Sequence, residues 1–408
     1  MSIYNELRSK IDSLAVFRQV KEDPAVVSLR KLLDENTIAA YSDFISTLYP
    51  EGANLSEYIR RQVLDDDNFY VKAVAAGKKI DPEIAAAVKN ELNLLNEIGQ
   101  IPSAEIRQMV LDSDSSGGRG ISLPKWKTEK LNLIKDFTAK LADISSTGYG
   151  IYAKYKFFRV EDGQIVPVAH PDYQRLDQLF EYERERNLVI RNTEALLDGS
   201  GASNILLYGD MGTGKSTTIK AVAAAYADKG LRMIELKKNQ LFQIPSVMEE
   251  IASNPLKFII FIDDLSFAGN DDNFAALKAT LEGSITGCGD NAVIYATSNR
   301  RHLVRESAAD RVGTAGFDDD LHLNDTMQET MSLAARFGLT ITFSKPGKDE
   351  YLSIVRSLAD EYGVAIGNGE DEITEDELMT KAEAFAIRRN GRSPRTARQF
   401  IELLKIGI

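Results

Sequence analysis

Gly209-Asp210-Met211-Gly212-Thr213-Gly214-Lys215-Ser216 is the stretch that decides how this chain is read. It fits G-x-x-x-x-G-K-[ST], the loop that cradles the phosphates of a nucleoside triphosphate. An apolar run, Ile205-Leu206-Leu207-Tyr208, comes before it, and an alanine-rich helical pattern from Thr217 to Tyr226 follows. The chemistry requires that order of strand, glycine turn and helix. The glycines let backbone N–H groups turn inward, and the helix start adds the positive end of its dipole. Lys215 is expected to reach the β- and γ-phosphates, and the Ser216 hydroxyl to take a place on Mg²⁺. Thr217, one residue further, is expected in the same nucleotide site.

Outward from the loop, helix and strand patterns alternate. Leu206, Arg232 to Leu236, Phe258 to Ile262, Ala292 to Thr297 and Leu339 to Phe343 read as buried strands, which predicts an α/β fold with a parallel sheet. Phe258 to Ile262 ends in Asp263-Asp264, at the strand end where ligands of such sheets sit. Asp263 suits Mg²⁺, held through water. Asp264 suits orienting or deprotonating the attacking water. Ala292 to Thr297 leads to Asn299, whose amide has both a donor and an acceptor for that water or for the γ-phosphate. Arg336 precedes the fifth strand, where it can be offered to the γ-phosphate of a neighbouring subunit. After Pro346 only helices are expected: Glu350 to Leu358 is amphipathic, Thr374 with Glu377 makes a capping box, and Ser393-Pro394 opens the last helix. Arg395 and Arg398 share a face of that helix, and either could reach the phosphates.

The expected division is a helical N-terminal domain over 1–145, a β-hairpin connector over 146–169, the nucleotide-binding α/β domain over 170–346 and a helical lid over 347–408. In the first region apolar residues recur three and four apart, as in Val26, Leu29 and Leu33, in Phe44, Ile45 and Leu48, and in Ile84, Val88, Leu92 and Leu95. Asp65-Asp66-Asp67 reads there as a solvated turn rather than a metal site. Tyr152 to Val160, with the turn Asp162-Gly163, reads as a hairpin. Its aromatic and basic residues suit a half-buried hairpin with lysines outward better than a platform for single-stranded nucleic acid.

The 408 residues carry a formal charge of −12, which disfavours nucleic acid as a partner of the whole surface. A single cysteine, Cys288, fits a reducing cytoplasm, and no stretch approaches the apolar length of a membrane span. A soluble, cytoplasmic protein is expected.

Taken in this order, the motifs resemble those of an AAA+ ATPase: Walker A, Walker B, sensor one, arginine finger and sensor two. More narrowly, the chain resembles an uncharacterised bacterial family of predicted AAA+ ATPases catalogued only as a domain of unknown function. The matching stretches include Val168-Ala169-His170-Pro171, Leu176-Asp177, Asp263 to Phe267, Tyr295 to Leu303, Arg336 to Leu339 and Arg395 to Phe400. The resemblance implies ATP and Mg²⁺ as cofactors and a homo-oligomeric ring or filament, with Arg336 acting in trans. It names no substrate, and a protein partner is expected on the N-terminal helices. This sequence departs from AAA+ usage at Asp264, where glutamate is common, and at Ala335, which replaces an acid. The helix over Asn239 to Ile251 lacks the aromatic-apolar-glycine loop of threading motors, which disfavours threading. Two other readings stand beside a remodelling or loading ATPase. One is a nucleotide switch with little hydrolysis. The other is a DNA-acting helicase loader, kept open by Arg300, Arg301, Arg305 and Arg311. The segment 305–331 is longer than a plain connection and reads as a partner loop or an insertion.

Overall fold

The computed structural model describes residues 3–113, 121–265, 272–281, 290–299, 335–367, 372–389 and 391–407. The four arginines from 300 to 311, Cys288 and the segment 305–331 lie outside the described residues. Two compact units are present: 1–154 with 253–256, and 155–252 with 257–408.

The first unit is built of helices whose starts are written in the sequence. Asp23 caps the helix Pro24–Glu35 by accepting the Ala25 and Val26 N–H groups, and Asn36 closes it in the left-handed conformation. Val26, Leu29, Leu33, Phe44, Leu48, Val88, Leu92 and Leu95 are buried in one core. Trp126 joins that core, its ring 5.1 Å from Phe44 and 5.6 Å from Tyr41. Two details differ from the sequence reading. Ile84, in the first turn of the helix Pro82–Gly99, is exposed. Asp66 is not solvated: it is 4% exposed, accepts a hydrogen bond from Asn68 Nδ2 at 2.6 Å, and burial pushes its carboxyl up to about 6.

The second unit holds a seven-stranded sheet in the order β2-β1-β4-β5-β6-β3-β7. The strands are β1 (Phe157–Glu161), β2 (Gln164–Pro167), β3 (Ile205–Gly209), β4 (Leu231–Leu236), β5 (Lys257–Ile262), β6 (Ala292–Ser298) and β7 (Leu339–Phe343). Every pairing is parallel except that of β1 with β2. β3 to β7 are the five strands read from the sequence, and β5 and β6 are buried almost throughout, as strands covered on both faces must be. β6 lies between the phosphate-loop strand β3 and the acid-bearing strand β5. This is the P-loop α/β arrangement expected of an AAA+ nucleotide domain.

The hairpin differs from its expected form. Ile151–Lys154 is a helical turn, and the strand begins only at Phe157. β1 pairs in parallel with β4, Phe157 opposite Met233, so the hairpin extends the main sheet instead of standing as a connector. Phe157 and Phe158 are both buried, which removes them as a stacking surface for bases.

Among the described residues three helices follow β7: Lys348–Tyr362, Glu375–Arg388 and Pro394–Lys405. Thr374 and Ser393 cap the second and third, as their sequences announce. Tyr351, Ile354, Leu358, Leu378, Ala382, Phe400 and Ile401 form a small core that makes the three helices one lid. No helix among the described residues is long and apolar enough to cross a membrane.

Candidate nucleotide site

The strand register sets the site. Tyr208 pairs with Ser298 and Ile262 with Ala296, so β3, β5 and β6 end at the same edge of the sheet. The phosphate loop leaves β3 there. Gly209 has φ +139°, and a Cβ on it would lie 2.0 Å from the Phe343 carbonyl oxygen, so only glycine fits that approach to β7. Gly212 and Gly214 also stand at positive φ, 81° and 92°. Gly214 is followed directly by the helix Lys215–Ala225, whose first N–H groups have no partner within the helix.

Lys215 is 5% exposed, with its ammonium donating to Gly209 O at 3.0 Å, Asp210 O at 2.7 Å and Asn299 Oδ1 at 3.0 Å. Burial lowers its pKa, and the carboxylates of Asp210, Asp263 and Asp264 work against that shift. Asn299 holds the two halves of the site together. Its carbonyl accepts Lys215, and its Nδ2 donates to Asp264 Oδ1 at 2.7 Å.

Asp263 Oδ1 accepts hydroxyls from Ser216 at 2.5 Å and Thr297 at 2.6 Å. A carboxylate and a serine hydroxyl at this separation are hard oxygen donors of the kind that would hold Mg²⁺. No cluster of three or more His, Cys, Asp or Glu able to hold a metal occurs among the described residues. Asp264 stands in the left-handed conformation, φ 51°, a strained state for a residue with a side chain. Its N–H donates to Thr297 Oγ1 at 3.0 Å. Thr297, which the sequence reading did not single out, therefore fixes both acids at once.

These groups line one cavity of about 490 Å³, together with Met211 to Thr218 of the loop and with Pro394, Arg395 and Arg398 of the lid. The last helix touches the loop directly, since Arg395 N–H donates to Gly212 O at 3.3 Å. Gly209 and Asp210, at the start of the loop, are not among the residues lining this cavity. Arg336 is half-buried just before β7 and is not among the residues lining this cavity. The rest of the wall comes from Gln174, Gln178, Leu179, Phe180, Tyr182 and Arg186, with Ile354 and Leu358 from the lid. The sequence reading missed this segment. Its only signals were Leu176-Asp177 and the odd richness in Gln and aromatics before the helix Glu183–Leu197.

A family model described as "Protein of unknown function (DUF815)" matches residues 152–407. The chain belongs to that family. The matched span holds every site residue named above, so the DUF815 domain carries the whole cavity. No curated protein matches the sequence. Among solved structures, the fold is similar to a Thermotoga maritima RuvB point mutant, with 16% identity and a TM-score of 0.38, covering 57% of this chain and 64% of that one. It is also similar to the Thermotoga maritima RuvB Holliday junction branch migration motor, with 15% identity and a TM-score of 0.33, covering 57% of this chain and 72% of that one. The chain thus spans less than two thirds of the first of these, and neither likeness bears on what this DUF815 protein does.

Proposed function

We propose that this protein binds ATP with Mg²⁺ in the cavity between sheet and lid and hydrolyses it as an AAA+ ATPase, using the energy to remodel or load a macromolecular partner. The observation that carries the reading is the linked set Lys215–Asn299–Asp264 beside Ser216–Asp263–Thr297, facing Arg395 and Arg398 across one cavity. Each group there has one natural use on a triphosphate. The loop N–H groups and Lys215 hold the β- and γ-phosphates, and Ser216 and Asp263 hold Mg²⁺, which neutralises charge on the phosphate oxygens. Asp264 takes the proton of the attacking water, with Asn299 fixing where that carboxylate points. Arg395, with Arg398 one turn along, brings guanidinium charge to the phosphates from the lid.

Arg336 acts on a neighbouring copy in a homo-oligomer, ring or filament, and the helical N-terminal domain recognises the protein partner. A division into N-terminal domain, nucleotide domain with the hairpin joined to its sheet, and lid is part of the same proposal, as is a cytoplasmic location. A switch with slow turnover is the second reading, favoured by Asp264, whose side chain is one methylene shorter than glutamate.

Steady-state ATP hydrolysis across a protein concentration series, for wild type and Lys215→Ala, tests these readings. Activity that rises faster than linearly and disappears in the variant is the expected result. Tight binding without turnover at any concentration favours the switch, and absence of ATP binding overturns both.

A further inference from the structure

Phe343, Ser344 and Lys345 carry the chain from the end of β7 toward the lid helix that begins at Lys348. Two residues of the cavity region grip these three. Asp210 donates its N–H to Phe343 O at 3.0 Å, and its carboxylate Oδ2 accepts the Lys345 N–H at 3.1 Å. Tyr182 stacks on Phe343, centroids 5.2 Å apart, and its hydroxyl donates to Ser344 O at 2.6 Å. Both gripping residues are tied to the cavity. Asp210 offers its carbonyl to Lys215 Nζ at 2.7 Å and to the Thr213 hydroxyl at 2.8 Å. Tyr182 lines the cavity and, with Glu181, stands in the left-handed region, at φ 55° and 58°. Two adjacent residues with side chains in that region keep it only where their surroundings hold them there. At its far end the lid meets the same loop, for a Cβ on Gly212 would lie 3.0 Å from Ser393 Oγ.

We infer that Asp210 and Tyr182 are positioning residues that clamp the 343–345 hinge and couple occupancy of the cavity to the setting of the lid, and so to the placement of Arg395 and Arg398. The inference rests on the cavity being a nucleotide site. A phosphate that draws the Lys215 ammonium toward itself loosens it from the Asp210 carbonyl. Asp210 has its N–H, carbonyl and carboxylate all engaged, so a shift of its backbone is passed to Lys345. An acceptor oxygen, rather than negative charge, is what the latch requires, which separates it from a plain electrostatic effect.

Hydrogen exchange read by mass spectrometry tests the clamp in wild type, Asp210→Asn, Asp210→Ala and Tyr182→Phe, each with and without saturating Mg²⁺–ADP. Saturation is verified in every sample with a fluorescent ADP analogue. In wild type, nucleotide slows exchange in both 343–347 and 393–398. Asp210→Ala speeds exchange at the hinge by roughly tenfold or more, the loss expected for a hydrogen bond to a charged group, and abolishes the response of 393–398. Asp210→Asn keeps the response, and Tyr182→Phe, which removes one oxygen and leaves the fold intact, weakens it. A full response in both Asp210→Ala and Tyr182→Phe overturns the clamp. An Asp210→Asn variant as deficient as Asp210→Ala overturns the acceptor argument in favour of charge. A wild type that binds no ADP analogue sinks the nucleotide reading and the clamp with it, whereas bound nucleotide with an unaltered response sinks the clamp alone.

Discussion

Gly209→Ala puts the join between the phosphate loop and β7 to a direct test. The added methyl carbon meets the Phe343 carbonyl oxygen at 2.0 Å, its carbon at 2.7 Å and the Phe343 nitrogen at 3.0 Å. All three are backbone atoms of a paired strand, so no side chain can swing aside. Relief takes about 1 Å of separation between β3 and β7 at this end, which loosens the Asp210 N–H bond to Phe343 O and disturbs a fully buried phenylalanine. Overpacking of this kind costs about 1–3 kcal/mol, the weakened hydrogen bond about 1 kcal/mol, and a side chain at positive φ about 1 kcal/mol more. The total is on the order of 3–5 kcal/mol, or roughly 6–20 °C in the melting point of a unit this size. Gly199→Ala is the control for a positive φ without a clash, because Gly199 stands at φ 69°, in the left-handed region rather than at the 139° of Gly209, and has nothing within 4 Å of its would-be Cβ. Thermal unfolding followed by far-UV circular dichroism compares them, with Gly199→Ala expected to lose about 1 kcal/mol. Equal melting points for the two variants would falsify the claim that backbone contact makes Gly209 obligatory.

Two further predictions follow from individual carboxylates. Asp264→Asn keeps the shape that meets Asn299 but removes the base, so single-turnover ATP hydrolysis falls by about 100-fold or more while a fluorescent ATP analogue still binds; unchanged turnover removes Asp264 from the chemistry. Asp66 ionises near 3.8 when unfolded and is pushed up to about 6 in the fold, first by burial, so its contribution is present below pH 4 and is lost as pH rises through 6. Between those limits Asp66→Asn removes a decline of on the order of 2–3 kcal/mol from the urea stability of the N-terminal unit. Identical slopes of stability against pH in wild type and variant would refute the burial argument.

What could be read from the sequence divides according to how far apart the interacting residues lie. Lys215 and Ser216 were legible because the loop, its strand and its helix are contiguous. Asp263 and Asn299 were legible because each ends a strand whose apolar run is itself conspicuous. Arg395 and Arg398 followed from a helix start announced by Ser393-Pro394. The wall from Gln174 to Arg186 was not legible. Its shape depends on Glu181 and Tyr182 at positive φ, a conformation usually signalled by glycine, and here held by contacts with Phe343 and Ser344 far along the chain. Thr297 was read as a strand end because a threonine is ordinary there, and its double role exists only once β5 lies beside β6. The pairing of β1 with β4 escaped for the same reason, since β2, β3 and the whole phosphate loop lie between Phe157 and its partner Met233 in the chain. Asp66 misled because a run of three aspartates carries the signature of a solvated turn, and burial of the middle one is set by tertiary packing.

The hydrogen bonds within the cavity also constrain how it can take a ligand. Lys215 is bonded to two backbone carbonyls and to Asn299, Asp263 to two hydroxyls, and Asp264 to Asn299. A triphosphate with its metal gains little from merely adding contacts, because each group it needs already has a partner; binding is an exchange, and only the surplus of the new hydrogen bonds over the old becomes affinity. That surplus is largest where a neutral acceptor gives way to a charged one, as when Lys215 leaves a carbonyl for a phosphate oxygen. Asn299 is the point at which the exchange spreads. When Lys215 turns to phosphate, the amide oxygen that held it is released, and the same amide's Nδ2 bond to Asp264 is no longer braced from the other side. The lysine proposed to bind phosphate and the carboxylate proposed to activate water are thus separated by a single side chain, Asn299, so a ligand that displaced the one would disturb the other.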